Sequence, residues 1–287
     1  MTSDTAAVRL AGVDLSYGKG TTALTGVTVD FQDETIVGLI GRNGAGKSSL
    51  MRVVAAREPR IQRGRVTVFG VSVLKSPAGT VHLCGEKWPS SRELRLCDLM
   101  RHLRRVHDRF DEPRAVELLT AFGITLRRYA ASLSRGQRSA AYASLALASR
   151  ASITLLDEPQ LGMDAPSRAL LYQAIVEEQA LLPRTMVMST HLINETAGLF
   201  ERVVVLDRGR VAADAPVDEL CASYVRVEGQ FEVVSQLPTL QPPERLGTTA
   251  RAIVKRDKVP ASTNAHLSAV SLQELSSALT TTPGRQS

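Results

Sequence analysis

The feature that most constrains this chain is a glycine-rich stretch, residues 41–49, with the sequence GRNGAGKSS. An apolar run at residues 36–40 predicts a buried strand before it, and residues 50–56 predict a helix after it. The stretch matches G-x-x-x-x-G-K-[ST], the pattern of phosphate-binding loops. Glycines let several backbone N–H groups point at one spot, and the helix N-terminus adds partial positive charge. This setting favours a phosphate-binding loop over a glycine-rich turn that matches by chance.

The same stretch supplies side chains with distinct roles toward a nucleotide. Lys47 carries a full positive charge for the β- and γ-phosphates, and the Ser48 hydroxyl is placed to bind Mg²⁺. The residues predicted to contact the nucleotide are Gly41, Asn43, Gly44, Ala45, Gly46, Lys47, Ser48 and Ser49.

The composition limits the class of protein. The chain has 287 residues, 44% of them hydrophobic, which suffices for one large domain with an appendage or for two domains. No stretch approaches the roughly 18 uninterrupted apolar residues of a membrane span. The first residues lack a signal-peptide pattern, and the three cysteines show no metal-ligand spacing. We therefore expect a reduced, cytoplasmic environment.

The basic charge of the chain is mild, with a net charge of +6. Its densest cluster is Arg101, Arg104, Arg105 and Arg109. A solvated helix face explains this cluster best, and a surface near anionic lipid head groups is the weaker alternative. Aromatic residues make up 4% of the chain and do not alternate with basic ones as in a platform for stacked bases. Nucleic acid is therefore not an expected partner.

Hydrophobic patterns around the loop predict a small sheet and a helical insert. Strand pieces near residues 8–15 and alternation at residues 27–31 indicate an antiparallel sheet that leads into the loop strand. Between about residues 88 and 132 the pattern becomes helical. Asp111 is the expected cap of a helix that ends near residue 122.

Two further segments have one structural and one ligand-binding interpretation. Tyr17 lies in a turn, where it is either a half-buried ring or a surface on which a purine stacks. Residues 133–137, LSRGQ, precede a long helix predicted to run through Ser149. Ser134 can simply cap that helix, or the serine, the glycine and the exposed N–H groups can bind phosphate.

Acidic residues and a histidine follow two later apolar strands. Asp157 and Glu158 stand at the carboxyl end of one strand, the edge where ligands bind in open parallel sheets. Asp157 is suited to hold Mg²⁺, and Glu158 is suited to deprotonate the water that attacks a γ-phosphate. His191 follows the next strand and is either structural or a γ-phosphate contact at the same edge.

From about residue 8 to residue 220, these segments resemble the nucleotide-binding subunits of ABC transporters. Residues 41–49 resemble the Walker A loop of that family, and residues 133–137 resemble its signature motif, normally LSGGQ. Most other phosphate-loop proteins lack the signature, which makes it decisive. The remaining matches are Asp157 of Walker B, the catalytic Glu158, the D-loop at residues 162–164, the switch histidine His191 and the adenine-stacking Tyr17.

The resemblance implies a fold and a division of the chain. The expected fold is α/β, a P-loop NTPase of the ABC type, with a mixed sheet core, an antiparallel N-terminal β subdomain and a helical insert. The ATPase domain is expected at residues 1–222, with the insert at about 88–132. A small α+β extension is expected at residues 223–280, and a disordered tail at residues 281–287.

The resemblance also implies ligands and partners. ATP and Mg²⁺ are the expected ligands, the metal being held by Ser48 and Asp157. Two subunits, identical or different, are expected to pair head to tail around two ATP molecules. Separate membrane permease subunits would use their closure for transport, which places the chain at the inner face of the cell membrane. The residues expected to contact the ATP of the other subunit are Ser134, Gly136, Gln137 and Asp164.

The chain departs from the family pattern at three places. Arg135 replaces the first glycine of the signature and adds a charge near the γ-phosphate. Leu161 replaces the usual D-loop serine. Where the family has a glutamine that touches Mg²⁺ or the attacking water, this chain has Gly85, with Glu86 adjacent. Glu86 can substitute as a metal ligand, but its charge adds repulsion toward the γ-phosphate.

The tail decides the favoured function. Residues 225–227, 231–234 and 252–254 are predicted strands, and residues 271–280 resemble the end of ATPases that serve ABC-2 type exporters. The favoured hypothesis is therefore an ATPase that drives export through a separate permease. The alternatives are a regulatory ATP-binding module with weak hydrolysis and an import ATPase. A soluble ATPase acting on ribosomes or DNA is less favoured, because neither a second cassette nor long coiled-coil arms are visible.

Overall fold

A computed structural model describes residues 6–18, 20–58, 60–85, 94–261 and 263–280. The first sheet is antiparallel, as the alternating pattern predicts. Alternation along its strands buries Leu10, Leu15 and Phe31 on one face. It contains β1 (Ala6–Tyr17), β2 (Thr21–Gln32), β4 (Arg63–Val68) and β5 (Val71–Ser72), in the order β2-β1-β4-β5.

The central sheet is mixed and carries the glycine-rich loop. Its strands are β3 (Ile36–Ile40), β6 (Val81–Cys84), β7 (Ile153–Asp157), β8 (Thr185–Thr190), β9 (Arg202–Asp207) and β10 (Arg210–Pro216), in the order β10-β9-β3-β8-β7-β6. Neighbouring strands are parallel except β9 and β10. All of β3 is buried, with Ile36 and Ile40 in one hydrophobic cluster and Val37 and Leu39 in another. Layers that cover both faces explain its continuous apolar sequence.

Helices form the covering layers and the insert. They are α1 (Lys47–Val54), α2 (Leu96–Val106), α3 (Glu112–Ala121), α4 (Arg135–Ala148), α5 (Ala165–Leu181), α6 (Ile193–Thr196) and α7 (Val217–Ala222). The core residues of α1 join the cluster of the antiparallel sheet, and those of α2, α3, α4 and α5 join the other cluster. As predicted, Asp111 caps α3, and its carboxylate accepts a hydrogen bond from Arg114 N at 2.9 Å. None of the helices in the described ranges is long and apolar enough to span a membrane.

A buried ion cluster ties the insert to α5. Glu178 on α5 is fully buried, and its carboxylate accepts hydrogen bonds from Arg114 of α3 at 3.0 Å and from Arg184 at 3.3 Å. Removing one partner of such a buried pair costs about 3–5 kcal/mol, because the other charge stays buried without compensation. The cluster therefore fixes the position of the insert beside the sheet.

A pair of histidines forms a second contact, which connects β6 to the end of α2. His82 Nδ1 lies 3.0 Å from His107 Nε2, and both rings are buried. Burial, with smaller contributions from the nearby His107 and Arg57, lowers the pKa of His82 to about 3. His82 is therefore neutral at pH 7, and the contact works as a neutral hydrogen bond rather than an ion pair.

The C-terminal segment forms a small antiparallel sheet and two helices. They are β11 (Tyr224–Gln230), α8 (Phe231–Val234), β12 (Glu244–Leu246), β13 (Thr249–Lys255), β14 (His266–Ser268) and α9 (Leu272–Thr280), with the sheet order β12-β13-β11-β14. The predicted strand at residues 231–234 is wrong. A helical turn there puts Phe231 and Val234 on the same side, against the small cluster of this sheet. The predicted tail at residues 281–287 lies outside the described residues.

The last helix does not pack with its own sheet alone. Val270, Leu272 and Leu275 belong to the large cluster that contains the core of α4 and α5, whereas Val225 and Val254 belong to the small cluster. The C-terminal segment thus has its own sheet core, but α9 is part of the main core.

Candidate nucleotide site

The parallel strands bring the polar residues to one edge of the central sheet. Ile40 at the end of β3 pairs with Thr190 at the end of β8, and Asp157 at the end of β7 pairs with Ser189. The carboxyl ends of β3, β7 and β8 therefore meet at the edge where open α/β sheets bind ligands.

The glycine-rich loop has a backbone that only glycine adopts without strain. Gly46, the N-cap of α1, has φ +106°, and a Cβ there would lie 2.6 Å from the Ala23 carbonyl oxygen. Gly41 has φ +151°, and a Cβ there would overlap the Leu206 carbonyl. Among the described residues, no side chain caps α1, so the amides at its N-terminus are left to bind an anion.

Lys47 lies on the first turn of α1 and is 6% exposed. Its ammonium donates to the carbonyls of Gly41 at 2.8 Å and Arg42 at 3.3 Å, and lies 3.9 Å from Glu158 Oε1. Burial lowers the pKa of Lys47, and the carboxylates of Glu158 and Asp157 offset part of that effect. The charge is thus held inside the loop, beside the position that phosphates take in such loops.

Ser189 anchors the two acids at the end of β7. Its hydroxyl donates to Asp157 Oδ1 at 2.7 Å and accepts from Glu158 N at 2.9 Å. Glu158 has φ +49°, a left-handed conformation that is uncommon for a residue with a side chain. Strain of this kind clusters at functional sites, where the surrounding structure holds it in place.

The Glu158 carboxylate is held by two donors on one oxygen. His191 Nδ1 lies 2.7 Å from Oε2, which makes Nδ1–H the donor, and Gln160 Nε2 donates to the same oxygen at 2.8 Å. Oε1 is the oxygen that lies 3.9 Å from Lys47 Nζ. The structure therefore directs one carboxylate oxygen toward the loop.

The remaining residues of the loop half of the site lie close by. The Tyr17 hydroxyl donates to Ser49 Oγ at 3.3 Å, so the predicted aromatic stands beside the first turn of α1. Ser48 is half-buried on that turn, and Asn43 is exposed. A serine hydroxyl and the Asp157 carboxylate are hard oxygen donors, the set that Mg²⁺ prefers when phosphates and water complete its shell. These residues fit a magnesium ion.

The signature segment begins α4 with a capping box. Ser134 Oγ accepts from Gln137 N at 3.2 Å, and Gln137 Oε1 accepts from Ser134 N at 3.3 Å. A Cβ on Gly136 would overlap the Gly162 carbonyl and lie 3.2 Å from Met163 Cα. The cap interpretation of Ser134 is thus correct, and the segment packs on the D-loop backbone of its own chain.

Arg135 and Asp164 flank this contact. A Cβ on Gly162 would lie 3.1 Å from Arg135 Cγ, so the arginine stem covers the D-loop. Asp164 caps α5 by accepting from Ser167 N at 3.0 Å, and hydrogen bonds from Ser167 lower the pKa of Asp164. A cavity of about 40 Å³ lies next to Arg135 and is also lined by Gly85, Asp157 and Glu158.

The structure groups the predicted residues into two sets. One joins residues 41–49, Tyr17, Asp157, Glu158 and His191, and the other joins Ser134, Gly136, Gln137 and the D-loop. Glu86 lies outside the described residues. The sequence pattern did not predict a role for Gln160, Ser189 or Thr190. Ser189 and Thr190 are polar residues at the end of an apolar strand, and that position could have indicated them.

The fold and this site define a phosphate-loop nucleotide-binding protein with an acid–histidine pair beside the loop. A family model described as ABC transporter matches residues 24–161. The chain is 32% identical over 215 residues to the aliphatic sulfonates import ATP-binding protein SsuB 2 of Xanthomonas axonopodis pv. citri, covering 73% of this chain and 71% of that protein. The chain belongs to the ABC transporter family as an ATP-binding subunit, and it is an ATPase.

Two further similarities bear on the predictions. The methionine import ATP-binding protein MetN 2 of Salmonella choleraesuis is 28% identical over 256 residues, covering 82% of this chain and 73% of that protein. A dimeric ATP-binding cassette in a post-hydrolysis state with ADP and Pi superposes with a TM-score of 0.64 at 20% identity, covering 73% of this chain and 98% of that chain. The predicted fold class is confirmed. The ABC-2 exporter type is not supported, and the import alternative fits these relatives better.

Proposed function

We propose that this ATPase powers the import of a small solute through separate membrane subunits. Two of its relatives are named import ATP-binding proteins, for methionine and for aliphatic sulfonates. At 28–32% identity these relatives support the direction of transport rather than the identity of the solute. Recognition of the solute belongs to the membrane subunits.

The single observation that carries the mechanism is the convergence of Lys47, Glu158 and His191 at one sheet edge. Lys47 would move from the loop carbonyls that hold it to the β- and γ-phosphates of ATP. Glu158 Oε1, the oxygen nearer the loop, would accept the proton of the attacking water while Oε2 stays bonded to His191. Charge stabilisation and proton transfer thus come from side chains of the same chain.

Ser48 and Asp157 would hold Mg²⁺. The ion would supply positive charge that neutralises the phosphate oxygens. Because Ser189 already holds Oδ1 of Asp157, the orientation of that carboxylate is set by the protein before any ligand binds.

The second set of residues would act in a dimer. Gly136 packs on the D-loop of its own chain, and Ser134 and Gln137 bond to each other beside it, so the three residues form a surface apart from the loop half of the site. In a head-to-tail pair, this surface would meet the ATP held by the partner's loop. ATP that contacts both halves stabilises the closed pair, and hydrolysis removes that preference, which is a population shift.

The first experiment replaces Glu158 with Gln, which keeps the size of the side chain and removes the base. We expect ATP affinity to be retained and single-turnover hydrolysis to slow by about 10²–10⁴-fold. The rate is measured with γ-labelled ATP and with the full chain in excess over the ATP. Glu244→Gln, in an ion pair of the C-terminal sheet, is the matched control and should keep the wild-type rate. Wild-type turnover in Glu158→Gln would refute the mechanism.

A second experiment tests the direction of transport. The membrane subunits that co-purify with the chain are reconstituted in vesicles with the ATPase on the outer side. Methionine and a short alkanesulfonate are the first solutes tried. Import predicts that ATP drives solute toward the side of the membrane that carries the ATPase. Movement away from that side would restore the export hypothesis, and ATP binding without turnover would favour the regulatory module.

A further inference from the structure

Gln160 has an unusual position for a polar side chain. It lies two residues after Glu158 and is 2% exposed. Its Nε2 donates to Glu158 Oε2 at 2.8 Å and to Thr190 Oγ1 at 3.0 Å. An amide has two N–H hydrogens, so these contacts use both of them. The amide therefore links the catalytic carboxylate at the end of β7 to the end of β8.

The other end of the amide argues against a purely structural role. Gln160 Oε1 is buried, and within the described residues it has no hydrogen-bond partner. A buried acceptor without a partner destabilises the fold, so an apolar side chain of the same length would suit the core better. Because the amide plane is fixed by its two donor contacts, exchanging the oxygen and nitrogen would place an acceptor against a carboxylate.

Position 85, where the family resemblance predicts a glutamine, is a glycine and has no side chain that could contact the acids. Gly85 follows β6, on the side of β7 opposite β8. A Cβ built on Gly85 would lie 3.7 Å from Asp157 Cβ and 4.0 Å from Asp157 Oδ2. Within the described residues, position 85 thus places no side chain beside Asp157 from the β6 side, whereas Gln160 places an amide against Glu158 from the β8 side.

We propose that Gln160 is a positioning residue for Glu158, with its amide held between Glu158 and Thr190. It holds Oε2 together with His191, so that Oε1 remains directed toward Lys47 and the phosphates. It does not touch the substrate in this arrangement; it acts through Glu158. Because residue 160 starts the segment that contacts the signature helix, movement of that segment would displace the catalytic carboxylate.

The test uses Gln160→Met, which keeps an unbranched side chain of similar length and removes the amide. The full chain is assayed for ATP affinity and for single-turnover hydrolysis of γ-labelled ATP. We expect unchanged affinity and hydrolysis slowed at least about 10-fold, because a small displacement of a reacting group is costly. Gln173→Met is the matched control, since Gln173 donates to Glu177 at 2.8 Å on the exposed face of α5.

A double-mutant cycle separates positioning from a general structural role. If Gln160 acts through Glu158, Gln160→Met slows hydrolysis in the wild-type background but adds nothing in the Glu158→Gln background. A full additional loss in the Glu158→Gln background, or no loss in the wild type, overturns the proposal. If Gln160→Met fails to fold, Gln160→Glu is used instead, because it keeps the size of the side chain but replaces the donor by an acceptor. Wild-type hydrolysis in Gln160→Glu would also overturn the proposal.

The proposal rests on Glu158 as the catalytic base, and the two can fail separately. Wild-type hydrolysis in Glu158→Gln removes the proposed mechanism itself. A slow Glu158→Gln with a fast Gln160→Met leaves that mechanism in place and removes the role of Gln160 alone.

Discussion

Two segments of this molecule are proposed to bind phosphate, and they are built differently. The loop at residues 41–49 reaches α1 through Gly46, at φ +106°, and no side chain caps the helix. The segment at residues 133–137 reaches α4 through Ser134, whose side chain caps the helix in a reciprocal box with Gln137. Both precede a helix N-terminus, which favours anions. Within the described part of the chain, a side chain caps the second helix but not the first.

The difference extends to charge. The loop carries Lys47, which is buried and lies 3.9 Å from Glu158 of the same chain. The signature segment carries Arg135, which is exposed and has its stem over Gly162. The loop therefore holds its cation beside Glu158, the proposed catalytic base, whereas the signature is an exposed surface that, in the proposed dimer, a ligand held by the other subunit would reach. The following substitutions test this division of roles.

The largest effect is expected from Lys47→Ala. Lys47 is the buried cation of the loop, whereas Arg42 is exposed, and a hydrogen bond to a charged group is worth about 1.5–3 kcal/mol. ATP affinity should therefore fall by about 10- to 10²-fold, measured by equilibrium binding to the full chain. Lys75→Ala, at an exposed position after β5, is the control and should bind normally. Normal affinity in Lys47→Ala would mean that the backbone amides suffice.

The loop half of the site could be predicted from the sequence because its chemistry is local. Residues 41–49 carry their own geometry, Asp157 ends an apolar strand, and Glu158 and His191 each directly follow one. Parallel strands place such ends at one edge, so the pattern predicts their meeting. Most strands of the central sheet could also be predicted, because each is largely an apolar run in the sequence.

Other features depend on packing that no local pattern reports. The role of Gln160 requires the register of β7 against β8, which brings Thr190 to its amide. The residues of α9 look like any amphipathic helix, and their place in the main core follows only from the tertiary fold. At residues 231–234 the apolar run suits a strand or a helical turn equally, and the small core selects the turn.

A smaller effect, confined to the signature half, is expected from Gly136→Ala. The new Cβ would overlap the Gly162 carbonyl, so the start of α4 must move away from the D-loop. Overpacking of this kind costs about 1–3 kcal/mol, and we expect the ATP-dependent dimer to weaken while the ATP affinity of the single chain is kept. Sedimentation with ATP in the Glu158→Gln background measures dimerisation. Gly198→Ala is the control, because apart from its chain neighbours no atom of the described residues lies within 4 Å of the new Cβ. An unaltered dimer would mean that the signature segment does not form part of the dimer interface.

The smallest effect is expected from Arg135→Gln, which removes the charge that distinguishes this signature. An exposed charge pair is worth about 0.2–1 kcal/mol and weakens with salt, so the ATP-dependent dimer should dissociate about 1.5- to 5-fold more readily at low salt. The difference should shrink as salt is added, and the ATP affinity of the single chain should not change. Arg101→Gln on α2, paired with Asp98 at 2.8 Å, is the matched control. A change in the affinity of the single chain would instead place Arg135 in the loop half of the site, since the 40 Å³ cavity already joins it to Asp157 and Glu158 of its own chain.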